Sequence, residues 1–482
     1  MHEQLDRLTQ QQERTDSDQL YYKDASSLCD GYSRGSFTPV DVVKACIDRI
    51  AKLDGTLNAM VHLDAARAIR LAEESEDRYA NGLSLGPLDG VPVTLKESVA
   101  AAGWPVSVGS AALDAKIVSE NAPLVDRLLE AGAVLVGTTR MPDHGWKGVT
   151  NGPLGAVPSP WDLNTNAGGS SGGAAAGLAA GYTPIAIGSD GAGSIRFPAA
   201  YCGVVGLKPT YGRVAAFPRG AAGTLTHYGP MARSVGDVES LFKVVAQPDE
   251  RDYTCSPVPD RESLPPLTGS LKKLRVYQWV APELTVEKDV LDAVNHTAEL
   301  LEAHGATVHR GQIDTTGILE AHTALFAGPM QAIIDSVGPD RVADLDPEMV
   351  KFSRRASDIS VVDFIRAQQY RSKLAEQLTH LQQHYDVILS PVSTTSTAPL
   401  NAPIRPDATP DRSPFAFVHN LTGRPALTIP IQLSQGTRPV GIQLSGRRFE
   451  DEHLLQVGRW LERFEGTFLQ QSSNGKLLDI NA

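Results

Sequence analysis

The stretch NAGGSSGGAAAGLAAGYTPIAIGSDGAGSIRFP, residues Asn166–Pro198, contains two glycine-rich loops that carry serines. The alanine-rich run between them predicts a buried helix whose small side chains allow close packing, and YTPIAIGSD predicts a strand. A flexible linker is one interpretation of GGSSGG. Linkers normally join segments of unlike composition, however, and this loop leads straight into a buried helix. That continuity favours a functional loop.

The segments before this stretch alternate helices with short apolar strands. Thr38, Pro39 and Asp41 predict a helix start, because they supply an N-cap, a first-turn proline and a carboxylate at the positive helix end. Leu124–Leu129 predicts a second helix, and Val134–Val136 predicts the strand that follows it. A helix that leads into a short apolar strand is half of an α/β unit, so the pattern predicts an α/β protein.

The remainder of the chain extends this pattern. Residues 285–385 are mostly helical by pattern, whereas YDVILSP, PALTIPIQL and PVGIQLSG predict three late strands. A last helix is predicted from Glu450 to about Arg463. The proline-rich stretches 255–270 and 401–414 predict surface loops.

Composition limits the classes of function. The chain has 482 residues and a formal net charge of −12, which argues against strong non-specific nucleic-acid binding. Four scattered cysteines and no HExxH-type histidine cluster indicate neither a zinc site nor a disulfide framework. Residues 1–19 are polar, which predicts a flexible lead-in rather than a secretory signal. We therefore expect a cytoplasmic protein with no membrane or nucleic-acid partner.

Ser194 follows the predicted strand in a glycine-rich turn. Gly191 and Gly193 allow tight turns with positive φ, and such a turn aims several N–H groups at one point. A serine there has oxyanion donors beside its hydroxyl, as a nucleophile in acyl transfer requires. The alternative is a serine that caps an ordinary strand-to-helix turn, which this stretch alone favours.

Lys96 and Ser170 can complete such a site. Lys96 ends a run in which Val91, Val93 and Leu95 alternate. Burial would lower the pKa of this lysine and leave a neutral amine that can act as a base, whereas a solvent-exposed strand end is the alternative. Ser170 would relay a proton between base and nucleophile. Ser–Lys variants of the hydrolase triad exist, so no histidine is needed.

Taken together, these motifs resemble the amidase signature family of serine hydrolases. GGSSGG followed by GSDGAGSIRFPAAYCGVVGLKPTYGRV is similar to the defining segment of that family, and GPLDGVPVTLKE is similar to its lysine motif. Ser194 lies 24 residues after Ser170, which fits the family spacing. Similarity in TRMPDHGW, HYGPMARSVGDV, YDVILSP and NLTGRPALTIP extends the resemblance over roughly residues 20 to 465.

The resemblance implies a role for each matching residue. It implies that Lys96 is the general base, that Ser170 is the bridging serine after a cis peptide bond, and that Ser194 is the nucleophile. The expected oxyanion donors are the backbone N–H groups around Gly191, Ala192, Gly193 and Ser194. The expected supporting residues are Ser171, Asp190 and Arg196. No metal or cofactor is implied.

The resemblance also implies a fold and an activity. Residues 20–482 are expected to form one large α/β domain with a mixed twisted sheet covered by helices on both faces. Residues at about 310–414 are expected to shape the substrate pocket. The implied activity is hydrolysis of a small amide, anilide or carbamate-like substrate, and homodimers are frequent in the family. Alternatives are the amidase subunit of a tRNA-dependent amidotransferase, which needs partner subunits, and a catalytically silent scaffold.

Some positions depart from the family pattern or are assigned to the pocket without a motif. Ala192 stands where glycine is usual, which predicts a reshaped oxyanion loop with backbone freedom moved to Gly191. Arg140 and Ser159 stand where asparagine is common, which we expect to affect substrate recognition. The aromatic candidates for the pocket are Trp146, Tyr201, His227, Phe326 and Phe417, with His419 as a further substrate contact.

Overall fold

The computed structural model describes residues 20–220, 222–256, 267, 270–402, 413–431 and 438–465. The predicted lead-in at residues 1–19 and most of the predicted loops at 255–270 and 401–414 lie outside these ranges. Among the described residues, none of the helices is both long enough and apolar enough to cross a bilayer.

The described chain contains both α-helices and β-strands along its length. The α-helices are α1 (Ala25–Arg34), α2 (Pro39–Leu57), α3 (Ala65–Ala80), α4 (Pro123–Glu130), α5 (Gly172–Ala180), α6 (Arg196–Cys202), α7 (Val235–Val245), α8 (Lys288–Ala303), α9 (Ile318–Val337), α10 (Pro347–Ser353), α11 (Val361–His384), α12 (Pro414–Leu421) and α13 (Asp451–Glu465). The strands are β1 (Met60–Leu63), β2 (Pro92–Lys96), β3 (Pro105–Val106), β4 (Lys116–Ile117), β5 (Val134–Thr139), β6 (Pro158–Ser159), β7 (Asp162–Asn166), β8 (Ile185–Asp190), β9 (Val205–Lys208), β10 (His227–Ala232), β11 (Arg275–Trp279), β12 (Thr307–Gly311), β13 (Val387–Pro391), β14 (Ala426–Ile431) and β15 (Val440–Ser445).

Eleven of the described strands form one mixed sheet, in the order β1-β5-β2-β8-β10-β9-β14-β15-β13-β11-β12. Strand β2 runs parallel to both β5 and β8, whereas β10 runs antiparallel to β8 and β9. The pairs β3–β4 and β6–β7 form separate two-stranded sheets. The predicted α/β domain with a mixed sheet is confirmed.

Helices cover both faces of the sheet, and β8 shows how its side chains divide between them. Ile185 and Ile187 belong to the core on one face, with residues of α4, α7, α8 and α13. Ala186, the residue between them, belongs to the core on the other face, with residues of α2, α3, α5 and α6. Successive side chains of a strand point to opposite faces, so one strand contributes to both cores.

The local signals read from the sequence mostly form the predicted elements. Thr38 caps α2 in a capping box with Asp41, and Pro39 is the first helical residue. The GGAAAGLAAG run forms α5, in which every residue is buried. The region 285–385 is mostly helical, as predicted, but it also contains β12, which pairs parallel to β11 at the sheet edge. Side chains of β12 are largely exposed, so the apolar alternation that signals a strand is absent.

The close packing of α5 yields a stability prediction. A Cβ at Gly173 would lie 2.5 Å from both the Ala59 carbonyl oxygen and the Arg140 backbone nitrogen. Because backbone atoms cannot move aside cheaply, Gly173→Ala is expected to lower the free energy of unfolding by about 1–3 kcal/mol. Gly55→Ala in α2 is the matched control, since nothing lies within 4 Å of its Cβ. The control is expected to raise stability by about 0.4–1 kcal/mol. Urea unfolding of both variants measures the difference, and equal effects would contradict the packing argument.

Candidate active site

The candidate site lies where two neighbouring parallel strands of the sheet end side by side. Strands β2 and β8 are parallel, with Leu95 opposite Ile187, so their carboxyl ends lie side by side. Lys96 is the last residue of β2, and Ser189 and Asp190 end β8. Ligand and catalytic sites of α/β sheets commonly lie at the carboxyl ends of the strands.

Lys96 lies at the centre of this arrangement. Its side chain is fully buried, and a hydrogen bond of 2.6 Å joins its Nζ to Ser170 Oγ. Burial lowers the pKa of Lys96 to about 7, although the negative charges of Asp190 and Glu97 oppose this shift. A buried amine with such a pKa is substantially neutral near pH 7 and can accept a proton. The alternative of a solvent-exposed strand-end lysine is therefore wrong.

Ser189 is a site residue that the sequence did not indicate. Its Oγ accepts a hydrogen bond of 2.9 Å from Lys96 Nζ, so the lysine is held between Ser170 and Ser189. Ser189 stands beside the Asp190 that the motif singles out, but a serine within a strand gives no sequence signal of its own. Only the pairing of β8 with β2 brings it to the lysine.

Ser171 joins the two glycine-rich loops. Its Oγ donates to Ser189 O at 3.2 Å and accepts from the Ser189 N–H at 3.2 Å. Its backbone N–H donates to Ser194 O at 3.0 Å. The peptide bond between Gly169 and Ser170 is cis, as the family resemblance implies. Ser171 thus fixes the loop of Ser170 relative to the loop of Ser194.

A buried ion pair supports the Ser194 loop. Arg196 Nε donates to Asp190 Oδ2 at 2.9 Å, and Nη2 donates to Oδ1 at 3.0 Å, with both side chains fully buried. Burial alone would raise the pKa of Asp190, but the Arg196 guanidinium holds that pKa well below its usual range. The remaining guanidinium protons bind Gln443 Oε1, Ala416 O and Asn420 Oδ1. Asp190 is therefore an anion fixed beneath the loop.

The hydrogen bonds of this loop correct the predicted oxyanion donors. The Gly193 N–H donates to Asp190 Oδ1 at 2.7 Å, so it is already occupied and unavailable to an oxyanion. The N–H groups of Gly191, Ala192 and Ser194 have no hydrogen-bond partner among the described residues. The expectation that Gly193 contributes its N–H is wrong in this geometry, because the carboxylate of Asp190 takes that donor.

The conformation of the loop also explains how alanine is tolerated at position 192. Ala192 does not have a positive φ, whereas Gly193 has φ 114°. The prediction that Gly191 provides the backbone freedom is wrong, because Gly193 is the residue that needs a positive φ. A Cβ at Gly193 would lie 2.5 Å from the Phe197 ring, so glycine is required there on two grounds.

A chamber of about 270 Å³ lies beside the candidate catalytic serines. Its lining includes Ser170, Ser189 and Ser194, together with Trp146 and Phe326 from the predicted pocket residues. A neighbouring cavity of about 670 Å³ is lined by Trp146, Ala192, Phe326 and Phe417, among others. Three residues, Trp146, Ala192 and Phe326, line both spaces, so the chamber and the cavity adjoin.

Several predicted contacts have structural partners instead. His227 Nδ1 lies 2.8 Å from Leu225 O, and Tyr201 Oη lies 3.0 Å from Thr395 Oγ1. Arg140 Nε donates to Asn58 O at 3.0 Å, and Ser159 Oγ donates to Tyr201 O at 3.4 Å. Neither Arg140 nor Ser159 lines the chamber or the neighbouring cavity. The departures at positions 140 and 159 therefore do not change the walls of these two spaces directly.

His419 is buried on α12, and burial holds its pKa well below the ordinary histidine value. It does not line the chamber or the neighbouring cavity. The expectation that it contacts substrate gains no support from this position.

Comparison with known proteins defines the class. Residues 41–455 match the family model described as Amidase, and the chain belongs to this family, that of the amidase signature enzymes. It is therefore an amidohydrolase of the amidase signature type.

Relatives with different roles resemble the chain over most of its length. It is 32% identical to a glutamyl-tRNA(Gln) amidotransferase subunit of Chloroflexus aggregans, over 92% of this chain and 97% of that protein. It is 31% identical to an acylamidase of Rhodococcus erythropolis, over 91% of this chain and 94% of that protein. A solved bacterial aryl acylamidase of the same family superposes with a TM-score of 0.83 at 25% identity, covering 95% of this chain and 98% of that chain.

The Asp190–Arg196 pair yields a prediction. Asp190→Asn would leave the Arg196 guanidinium buried without a counter-charge, so we expect a loss of about 3–5 kcal/mol in the free energy of unfolding. Glu74→Gln is the matched carboxylate-to-amide control, because Glu74 pairs with Arg70 on the exposed surface. The control is expected to change stability by less than about 1 kcal/mol. Thermal and urea unfolding measure both variants, and a small effect at Asp190 would contradict the role of the ion pair.

Proposed function

We propose that this protein is a self-sufficient amidohydrolase that cleaves the carbon–nitrogen bond of a small uncharged amide through an acyl-enzyme on Ser194. The observation that carries the proposal is the buried lysine: Lys96 Nζ lies 2.6 Å from Ser170 Oγ, and Ser170 lines the same chamber as Ser194. A base bonded to a relay hydroxyl, and a nucleophile that shares a chamber with that hydroxyl, are the parts that acyl transfer needs.

In the proposed first half-reaction, neutral Lys96 accepts the proton of Ser170, and Ser170 accepts the proton of Ser194. Ser194 Oγ then attacks the amide carbonyl carbon and forms a tetrahedral intermediate. When this intermediate collapses, the carbon–nitrogen bond breaks, and the proton returns through Ser170 to the departing amine. The second half-reaction uses the same relay: a water molecule loses a proton to it, attacks the acyl ester and releases the acid and the Ser194 hydroxyl.

We propose that the N–H groups of Gly191, Ala192 and Ser194 stabilise the negative charge on the carbonyl oxygen. All three lack a partner among the described residues, whereas the Gly193 N–H is taken by Asp190. Donors of this kind, fixed before the reaction begins, each contribute about 3–4 kcal/mol to stabilising the transition state. The Asp190–Arg196 pair keeps the loop in place without contacting the substrate.

Charge pairing in the chamber supports an uncharged substrate. The lysine and arginine residues that line the described chamber are Lys147 and Arg219. Lys147 pairs with Asp346 at 2.5 Å, and Arg219 pairs with Asp252 at 2.5 Å. Neither cation is therefore free to bind the α-carboxylate of glutamine. That carboxylate would lose its hydration in the chamber without gaining a counter-charge.

A second candidate is the glutaminase subunit of a tRNA-dependent amidotransferase. It is favoured by the 32% identity to the glutamyl-tRNA(Gln) amidotransferase subunit of Chloroflexus aggregans. Under this alternative the chain would need partner subunits to act.

The deciding experiment measures amine or ammonia release by the isolated chain at mildly alkaline pH. The substrate panel contains glutamine, aliphatic amides, anilides, ureas and carbamates, and Ser194→Ala is the control. We expect turnover of at least one non-glutamine substrate, and we expect the Ser194→Ala variant to be folded but inactive and to form no acyl adduct. Turnover of glutamine alone, or turnover that survives Ser194→Ala, would reject the proposal.

The pKa of Lys96 sets a second expectation, for pH dependence. Burial lowers this pKa to about 7, so the neutral form that acts as base disappears as the pH falls below that value. The rate of inactivation by a fluorophosphonate is expected to rise about tenfold per pH unit below pH 7 and to level off above it. Measuring inactivation avoids any dependence on the natural substrate. A rate that stays flat down to pH 5 would reject Lys96 as the base.

A further inference from the structure

The cavity beside the reaction chamber has a wall of stacked rings. His322 lies parallel to Phe417, with ring centroids 4.2 Å apart and an angle of 6° between the planes. It also stacks on Phe326, at 5.2 Å and 25°. Phe352 contacts Phe326 at 6.1 Å and Trp146 at 6.0 Å. These five rings extend from the chamber along the cavity of about 670 Å³.

The imidazole in this wall is uncharged at neutral pH. Burial lowers the pKa of His322 to about 4, because the ring lies among aromatic side chains where a positive charge is poorly solvated. At neutral pH His322 is therefore an uncharged ring stacked on both Phe326 and Phe417.

Charges occur only at the exposed rim of the described cavity. The charged lining residues are Glu320, Arg355, Asp358, Asp363 and Arg366, which are exposed or half-buried. Arg366 pairs with Asp363 at 3.2 Å, and acidic residues outnumber basic ones in this set. A carboxylate-bearing group gains little binding energy at such a rim. An uncharged group can pass the rim and bury its surface against the rings.

Ala192 connects the cavity to the proposed oxyanion loop. It lines both spaces and packs against the aromatic core that contains Phe326 and Phe417. A substrate whose carbonyl lies at the N–H groups of residues 191, 192 and 194 can therefore extend one arm past Ala192 into the cavity.

From these observations, and on the basis of the proposed function, we infer that the cavity binds an aryl group on one arm of the amide substrate. Phe326 and the stacked pair of His322 and Phe417 are the specificity-determining residues. Offset and parallel ring contacts favour an aromatic arm over a chain of similar area. The substrate class is thus an uncharged amide with an aryl group on either its acyl or its amine side.

Binding to the Ser194→Ala variant tests this inference without requiring turnover. The probes are benzamide, with the ring on the acyl side, acetanilide, with the ring on the amine side, and acetamide, with no ring. Competition with a fluorescent aryl amide measures each affinity. We expect at least one aryl probe to bind ten-fold or more tightly than acetamide, and Phe326→Ala in the same background to remove most of that difference.

Two further variants make the test decisive. Phe37→Ala is the matched control, because this ring packs against Tyr32 in the separate N-terminal core and not in the cavity. It is expected to leave aryl binding unchanged. Ala324→Trp adds a ring at the cavity wall and is expected to block aryl binding, which covers the case in which Phe326→Ala does not fold.

Equal affinity for aryl and ring-free probes would overturn the inference, as would aryl binding that survives both cavity variants. Failure of the proposed function has a separate signature. In that case the wild-type chain would not turn over any amide, while the binding results with Ser194→Ala would stand unaffected.

Discussion

The ion pair between Asp190 and Arg196 is the interaction on which the candidate site depends. Asp190 takes the Gly193 N–H with one oxygen and the Ile195 N–H with the other, and Arg196 binds both oxygens. A carboxylate can remain charged in the protein interior only when its lone pairs are satisfied and its charge is balanced. Here that requirement positions the backbone on both sides of Ser194. The same anion decides which loop N–H groups stay unpaired.

Burial of Lys96 is the second constraint, and it changes the protonation of the amine. The side chain ends between strands β2 and β8, where removal from water lowers its pKa to about 7. Ser170 and Ser189 supply hydrogen-bond partners without a counter-charge in direct contact, so the amine is not held in its charged form. A carboxylate in direct contact at this position would have raised the pKa of Lys96 and kept the amine charged at neutral pH.

The helical region after residue 317 gives the candidate site its shape. Lys147, from the segment that lines the chamber, forms a buried ion pair with Asp346, and the Asp346 N–H donates to Asp143 Oδ2 at 2.8 Å. These contacts join the segment 143–147 to the N-terminus of α10, where Asp346 is the N-cap. Residues of α9, α10 and α11 line the aromatic cavity beside the Ser194 loop, so the proposed aryl selectivity would come largely from a part of the chain remote from the motifs.

Features that depend on neighbours along the chain could be predicted from the amino-acid sequence. The cap formed by Thr38 and the all-buried helix after GGSSGG follow from local propensity and glycine placement, and the family resemblance of the motifs implied Lys96, Ser170 and Ser194 as site residues. Tertiary structure alone decided the contact of Ser189 with Lys96, the capture of the Gly193 N–H and the ring stack at His322. Each of these depends on burial or on the relative placement of separate elements. A linear pattern does not encode such distances, because strand pairing and helix packing are set by the whole core.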